Sequence, residues 1–150
     1  MSEANPLTMT KAEREAFLAA LHVGVISIEQ ADAPPLAVPI WYDYTPERGV
    51  WVITGESSVK GKALRAAGRF SICAQIEEPP GYQYVSVSGP IVEERAADIE
   101  EHSRPMAHRY FGQGMGDLYT DGQPQDGQLL FVMRPERWRT VDYRKIMPSS

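Results

Sequence analysis

The chain has 150 residues with ordinary shares of apolar and charged side chains, and this size corresponds to one globular domain. Its formal net charge of −5 argues against a protein whose main partner is nucleic acid. No apolar run approaches the roughly 20 residues that cross a bilayer, and the single cysteine excludes an internal disulfide framework and fits a reducing cytosol.

The N-terminal part of the chain predicts a tail and then a helix. Residues 1–9 look like a loose tail and lack the basic and then apolar composition of a secretory signal, so we expect a cytoplasmic protein. Thr10 and Glu13 have the spacing of a capping box, and the apolar residues that follow share one helical face. This pattern predicts a helix over about residues 10–21, at the start of a single domain that covers residues 10–150.

Alternation of apolar and polar residues predicts six strand segments. They lie at about residues 22–28, 36–44, 50–54, 69–76, 82–92 and 129–143, and the last is bent at Arg134-Pro135. Pro39 cannot donate a ladder hydrogen bond, so it marks a bulge or a free edge where backbone groups stay available to a ligand. Because most connections are hairpins, the pattern predicts an antiparallel barrel with helical additions.

Two more helices and a long loop are predicted. A helix over about residues 58–67 has Ser57 or Ser58 as its N-cap and ends at Gly68. A helix over about 96–111 is kinked or restarted at Pro105. Residues 112–127 contain five glycines and one proline, which predicts a long loop with at most one helical turn. Loops of this length often cover functional sites.

The stretch from Thr54 to Leu64 is the main candidate for a binding site. It joins a strand to a helix and brings hydroxyls, glycines and two lysines together. A helix N-terminus offers unpaired N–H groups and a partial positive charge, which suit a phosphate. The local sequence alone is also explained, without a ligand, by a serine cap followed by solvated lysines, whereas the flanking strands favour phosphate binding by Ser57, Ser58 and Lys60.

This order of elements resembles the flavin-binding split-barrel family, which includes pyridoxamine 5′-phosphate oxidase and relatives that use the deazaflavin coenzyme F420. The resemblance rests on Thr54-x3-Ser58-x-Lys60 at a strand-to-helix junction and on the later strand Tyr84–Gly89. It implies a mainly β fold, a six-stranded antiparallel split β-barrel with peripheral helices. It also implies a homodimer with the cofactor at the interface and a small-molecule substrate, with no nucleic acid or membrane partner.

The resemblance further implies a set of cofactor-binding residues. Thr54, Ser58 and Lys60 would hold the phosphate, with Ser57 and Lys62 beside it. The backbone of Val38, Pro39, Ile40 and Trp41 would line the tricyclic ring. Tyr84 stands where the family has a polar side chain near the cofactor, and Trp138 resembles a late tryptophan that closes over it. Packing in the core or at an interface explains Trp41, Tyr84 and Trp138 equally well.

Three departures from the oxidase pattern change the expected substrate. Val59 stands where the oxidase has an arginine, Ser86 stands in place of another, and residues 36–41 carry no positive charge. Trp41 and Tyr42 favour a flatter and more apolar substrate than pyridoxamine phosphate. The resemblance therefore implies a reductase that uses F420, slightly favoured, or FMN, and transfers hydride to a small unsaturated or aromatic compound. The alternative is a non-catalytic protein that stores or carries the same cofactor.

No side-chain triad, dyad or metal motif is present in the sequence, which agrees with chemistry carried by a cofactor. His102 and His108 are six residues apart and do not share a helical face at the usual spacing, so we predict no metal site. The poor placement of the three histidines also disfavours a haem-handling relative on the same barrel. Cys73 is interpreted as a small packed residue.

Overall fold

The computed structural model describes residues 5–149, so residues 1–4 of the predicted tail lie outside the described part. The helices are α1 (Lys11–Ala19), α2 (Val59–Ala67), a π-helical segment (Ile99–Ser103) that leads into α3 (Arg104–Phe111), α4 (Gln113–Gly122) and a final 3₁₀ turn (Tyr143–Ile146). The strands are β1 (Gly24–Ile28), β2 (Leu36–Ile40), β3 (Asp43–Thr45), β4 (Gly49–Gly55), β5 (Arg69–Ile76), β6 (Gln83–Ala96), β7 (Gln128–Met133) and β8 (Arg137–Asp142). None of these helices is long and apolar enough to cross a membrane.

All eight described strands belong to one curled sheet with the order β2-β1-β5-β6-β7-β4-β3, and β8 pairs with β6. The long strand β6 connects the two halves of this sheet. Its first part pairs with β5 and β8, and its second part pairs with β7. A register shift between Ile91 and Glu93 marks the change, as expected where a strand bends. The predicted antiparallel split β-barrel with peripheral helices is therefore confirmed.

The predicted number of six strands is wrong, because two predicted segments each contain two strands. The segment 36–44 divides at Trp41 and Tyr42 into β2, which pairs with β1, and β3, which pairs with β4. The segment 129–143 divides into β7, which pairs with β4 and β6, and β8, which pairs with β6 alone. At both places the chain changes its neighbouring strand. Across 36–44 the apolar side chains alternate without interruption, whereas β7 is a continuous apolar run that is followed by Arg134-Pro135.

The first two predicted helices are present with the expected caps. Thr10 and Glu13 form the capping box, each side chain accepting a hydrogen bond from the backbone N–H of the other. The helix α1 ends at Ala19, two residues before the predicted end. Ser58 caps α2, and Gly68 ends it with a left-handed φ of 69°.

The interpretation of residues 112–127 as a long loop is wrong, because α4 occupies ten of them. Gly112, with a φ of 79°, separates α3 from α4 and lets the two helices fold into a hairpin. A Cβ at Gly116 would lie 2.7 Å from Cδ2 of His108 and 2.9 Å from the carbonyl carbon of Ala107. This glycine therefore allows close helix packing and does not mark a loop.

Residues 5–9 are held against the barrel rather than loose. Asp142 N donates to Leu7 O at 2.8 Å, and Met9 N donates to Thr140 Oγ1 at 3.0 Å. The Met9 side chain is buried and joins the main core, which fills the barrel between the curled sheet, α1 and α2.

Candidate binding cavity

The junction between β4 and α2 is a tight turn closed by side-chain hydroxyls. The Ser58 hydroxyl donates to Gly55 O at 2.6 Å and accepts from Gly61 N at 2.9 Å. Since its single proton is committed to Gly55, the buried Thr54 hydroxyl donates to Ser58 Oγ across 3.1 Å. A Cβ at Gly61 would lie 2.2 Å from Gly55 O, so the turn requires glycine there. These hydroxyls shape the turn and present the first N–H groups of α2, which lack intrahelical partners.

Lys60 projects from this first turn into a cavity of about 390 Å³. Its side chain forms no ion pair within residues 5–149 and is half-buried. Pro39, Ile40 and Trp41 line the same cavity, so the end of β2 and the start of α2 meet around one space. A half-buried cation without a carboxylate partner is a favourable contact for an anionic ligand group.

The other walls of the cavity are apolar or neutral. They come from the residue before β1, from β4, from the π-helical segment, from α3 and α4, and from the segment that leads into β7 with its first residue: Val23, Ile53, Ser103, Met106, Ala107, Tyr119, Gln123, Pro124, Gln125 and Gln128. Lys60 is the one charged residue among all these lining residues. The cavity thus combines a single positive charge with aromatic, aliphatic and amide surface, as is typical of sites for flat organic ligands.

Four of the eleven residues predicted for cofactor binding line this cavity together, namely Pro39, Ile40, Trp41 and Lys60. Thr54 and Ser58 lie directly beside it, in the turn that presents Lys60. Their roles toward a ligand stay predictions.

The other five predicted residues lie elsewhere. Ser57 and Lys62 line a separate cavity of about 460 Å³ on the other side of the turn. The Val38 side chain packs against the core. Tyr84 is exposed on the outer face of β6. Trp138 lies under the Arg14 guanidinium at 4.4 Å and packs edge-on against Tyr44 at 6.1 Å.

Sequence reasoning missed most of the wall formed by α3, α4 and residues 123–128. The signal that pointed to this region was the length of the predicted loop, which is typical of segments that cover sites. The loop interpretation hid Tyr119, whose position depends on α4 being a helix. It also hid Gln125, which donates from Nε2 to Thr120 O at 3.2 Å and fixes the end of that helix.

Trp41 belongs to an aromatic cluster that closes one end of the cavity. Its ring stacks on Tyr110 with centroids 4.8 Å apart and an interplanar angle of 5°. Phe111 meets it edge-on at 5.0 Å, and Tyr119 lies tilted at 5.5 Å. The neighbouring Tyr42 is fully buried, and its hydroxyl donates to Leu18 O at 2.7 Å. Of these two adjacent aromatics, therefore, Trp41 faces the cavity and Tyr42 faces the core.

The three histidines each have a partner away from the cavity. His22 Nε2 bonds Phe17 O at 3.0 Å, His102 Nδ1 accepts from Asp98 N at 2.9 Å, and His108 Nε2 bonds Asp117 at 2.6 Å. Burial lowers the pKa values of His22 and His102, which favours their neutral forms at neutral pH. Within residues 5–149 no group of three or more possible metal ligands is present.

Comparison with known proteins gives a family and a fold. The sequence profile of the pyridoxamine 5′-phosphate oxidase family matches residues 10–142. A search of curated proteins found no significant match.

Three solved structures share the fold at low sequence identity. A conserved hypothetical protein from Mycobacterium tuberculosis is 20% identical, with a TM-score of 0.80 over 100% of this chain and 96% of the other. A protein described as an F420 reductase is 15% identical, with a TM-score of 0.67 over 83% and 94%. A FAD-binding protein from Mesorhizobium loti is 22% identical, with a TM-score of 0.64 over 89% and 95%. At these identities the likeness establishes the fold alone.

Proposed function

Because the chain belongs to the pyridoxamine 5′-phosphate oxidase family, we propose that it is an oxidoreductase that binds coenzyme F420 or FMN and reduces a small unsaturated or aromatic compound. The observation that carries the proposal is Lys60, which forms no ion pair among the described residues and is the one charged residue lining a cavity whose other walls are neutral. This arrangement matches a cofactor with an anionic tail and a flat ring. When bound, the ring supplies hydride transfer.

The residues present fit such a cofactor. Lys60 and the first N–H groups of α2 would hold the phosphate, and the segment Pro39–Trp41 would lie against the ring. Thr54 and Ser58 would act indirectly, by holding the turn that presents these donors. Val59 leaves this site with one cation fewer than the oxidase pattern, which favours F420 slightly over FMN.

The rest of the cavity supports a neutral substrate. With Lys60 assigned to the cofactor, no second cation in the lining is left for a phosphorylated or carboxylated substrate. The amides of Gln123 and Gln128 can donate to a carbonyl or nitro oxygen, while Trp41, Met106 and Tyr119 exclude water. We therefore do not propose pyridoxamine phosphate as the substrate.

The decisive experiment is the absorption spectrum of the purified protein, combined with mass analysis of any small molecule released on denaturation. Bound F420 or FMN, or micromolar affinity for either in a titration of the chromophore-free protein, supports the proposal. If the protein binds neither F420 nor FMN, or if it shows a haem spectrum, the proposal is overturned. Reoxidation of the reduced cofactor by electron acceptors then separates an enzyme from a carrier, because a carrier would not exceed the rate of free cofactor.

A further inference from the structure

The strand pair β1–β2 stops at the edge of the cavity. Its last paired residues are Gly24 and Ile40. In the same register the next opposed residues would be Val23 with Trp41, and after them His22 with Tyr42. Val23 and Trp41 both line the cavity. The cavity therefore depends on these two strands separating where their ladder ends.

The Tyr110 hydroxyl lies between the separated strands. Tyr42 N donates to Tyr110 Oη at 3.1 Å, and this hydroxyl donates to His22 O at 2.5 Å. A backbone donor of one strand and a backbone acceptor of the other thus meet at one side-chain oxygen. In a continued ladder these two groups would face each other directly.

The neighbourhood of Tyr110 fixes the same segment further. Arg109 Nε donates to Tyr42 O at 3.1 Å, and its Nη1 pairs with Asp43 at 3.3 Å. Its Nη2 donates to the carbonyls of Ala19 and Ala20, where α1 ends. Burial raises the pKa of Tyr110, so its hydroxyl keeps its proton at neutral pH. Tyr110 does not line the cavity itself.

We propose that Tyr110 is a positioning residue for ligand binding. Its hydroxyl holds apart the residue ahead of β1 and the residue that follows β2, His22 and Tyr42, and its ring, stacked on Trp41, sets the orientation of the cavity wall. Without the hydroxyl, Tyr42 N–H and His22 C=O would be left unpaired or would approach each other and pair directly. Either change moves Trp41 and Val23. The identity of the ligand rests on the proposed function; the separation of the strands does not.

The test compares Tyr110→Phe with Tyr42→Phe. Both variants remove one hydrogen-bonded phenolic hydroxyl from the same region, but Tyr42 Oη bonds Leu18 O and its loss leaves the hydrogen bonds of Tyr110 to Tyr42 N and His22 O intact. In Tyr110→Phe we expect the backbone amide of residue 42 to exchange at least tenfold faster and cofactor affinity to fall about tenfold, the size of one lost hydrogen bond. Tyr42→Phe is expected to lower stability while keeping both properties near the wild-type level.

The readouts are amide hydrogen exchange by NMR and titration with F420 and with FMN. Unchanged exchange and affinity in Tyr110→Phe overturn the proposal, and so does an equal loss of affinity in both variants, because that loss would reflect general loosening. If the wild type binds neither cofactor, the proposed function fails, and the exchange rate of residue 42 still decides the role of Tyr110. If Tyr110→Phe does not fold, fast exchange of the Tyr42 amide in the wild type overturns the proposal, and core-like protection supports it.

Discussion

Lys60 provides the positive charge of the cavity, so its removal is the most direct test at the scale of one residue. We expect Lys60→Ala to weaken F420 or FMN binding about 10- to 100-fold, since a charge-assisted hydrogen bond contributes about 1.5–3 kcal/mol. The affinity of the wild type should also fall with rising salt, and the variant should show a weaker salt dependence. Isothermal titration at two ionic strengths measures both effects.

Lys62 supplies the matched comparison for this experiment. It has the same charge on the same helix, two residues further along, but it lines other cavities than the one that Lys60 lines. Lys62→Ala should therefore keep cofactor affinity within about threefold of the wild type, as expected of a distant screened charge. Equal losses in the two variants would show that the general charge of α2 matters and that the placement of Lys60 in the cavity does not.

Residue types at the β4–α2 junction could be predicted from the sequence, but the direction of each side chain could not. The phosphate contacts of Thr54 and Ser58 stay predictions, and in the structure both hydroxyls form hydrogen bonds inside the turn. Lys60 and Lys62 have the same local sequence signal. They line different cavities because successive helical residues point about 100° apart. The outcome at such positions depends on residues that are distant along the chain, such as Met106 and Tyr119, which line the cavity of Lys60.

At the scale of elements, α1 is tied to the C-terminal 3₁₀ turn by a salt bridge that depends on pH. Lys145 Nζ lies 2.8 Å from the Glu13 carboxylate, which also accepts from Thr10 N. These hydrogen bonds lower the Glu13 pKa from 4.5 to about 2. The folded-state pKa is below the unfolded one, so the stabilisation is present above pH 4.5 and is lost as the pH falls toward 2.

We therefore expect the thermal unfolding temperature to fall between pH 5 and pH 2, and part of this fall should disappear in Glu13→Gln. Because the pair is exposed, the effect should be small and should shrink in high salt. Circular dichroism melts across this pH range measure it. Glu47→Gln, which removes an exposed carboxylate from the β3–β4 hairpin, is the control. An acid dependence that Glu13→Gln leaves unchanged would contradict this assignment.

Elements with strong local signals were predictable, while those defined by tertiary contacts were not. The capping box of α1 and the Ser58 and Gly68 caps of α2 act within a few residues, so their sequence patterns were sufficient. Gly116 has no local signal that separates a helix contact from a loop, because its reason is the approach of α3. The break of β2 at Trp41 likewise reflects Tyr110, which lies 69 residues further along the chain.

At the scale of the whole molecule, the sequence predicted the split barrel but not the assembled cavity. The barrel follows from alternation and hairpins, which each strand carries in its own sequence. The cavity requires the α3–α4 hairpin to fold back over the end of β2, and this contact joins segments that are far apart in the chain. The residues on β2 and α2 were therefore expected, whereas Met106 and Tyr119 were not.

The outer face of β2, β1, β5, β6 and β8 is the surface on which we propose that two copies of the chain form a homodimer. Val25 stands between Pro39 and Cys73 on neighbouring strands, and Ser86 follows in the same row. The side chains of this row are small on β2, β1, β5 and β6, and the exposed Arg139 ends the row on β8. Val25 on β1 and Val23 directly before it are exposed apolar residues. Val23 and Pro39 also line the cavity, so a partner on this face would border the cofactor.

Val25→Arg should convert this dimer into a monomer. At a twofold interface the substitution places two guanidinium groups close together, where each would be desolvated without a partner. Sedimentation equilibrium should give twice the chain mass for the wild type and the single-chain mass for the variant. Val92→Arg adds the same charge at an exposed apolar position on the second part of β6 and should remain dimeric. A monomeric wild type, or a Val25→Arg protein that stays dimeric with unchanged affinity between its subunits, would exclude this face as the interface.

If the partner borders the cofactor, the monomeric variant should also bind F420 or FMN more weakly, although Val25 itself does not line the cavity.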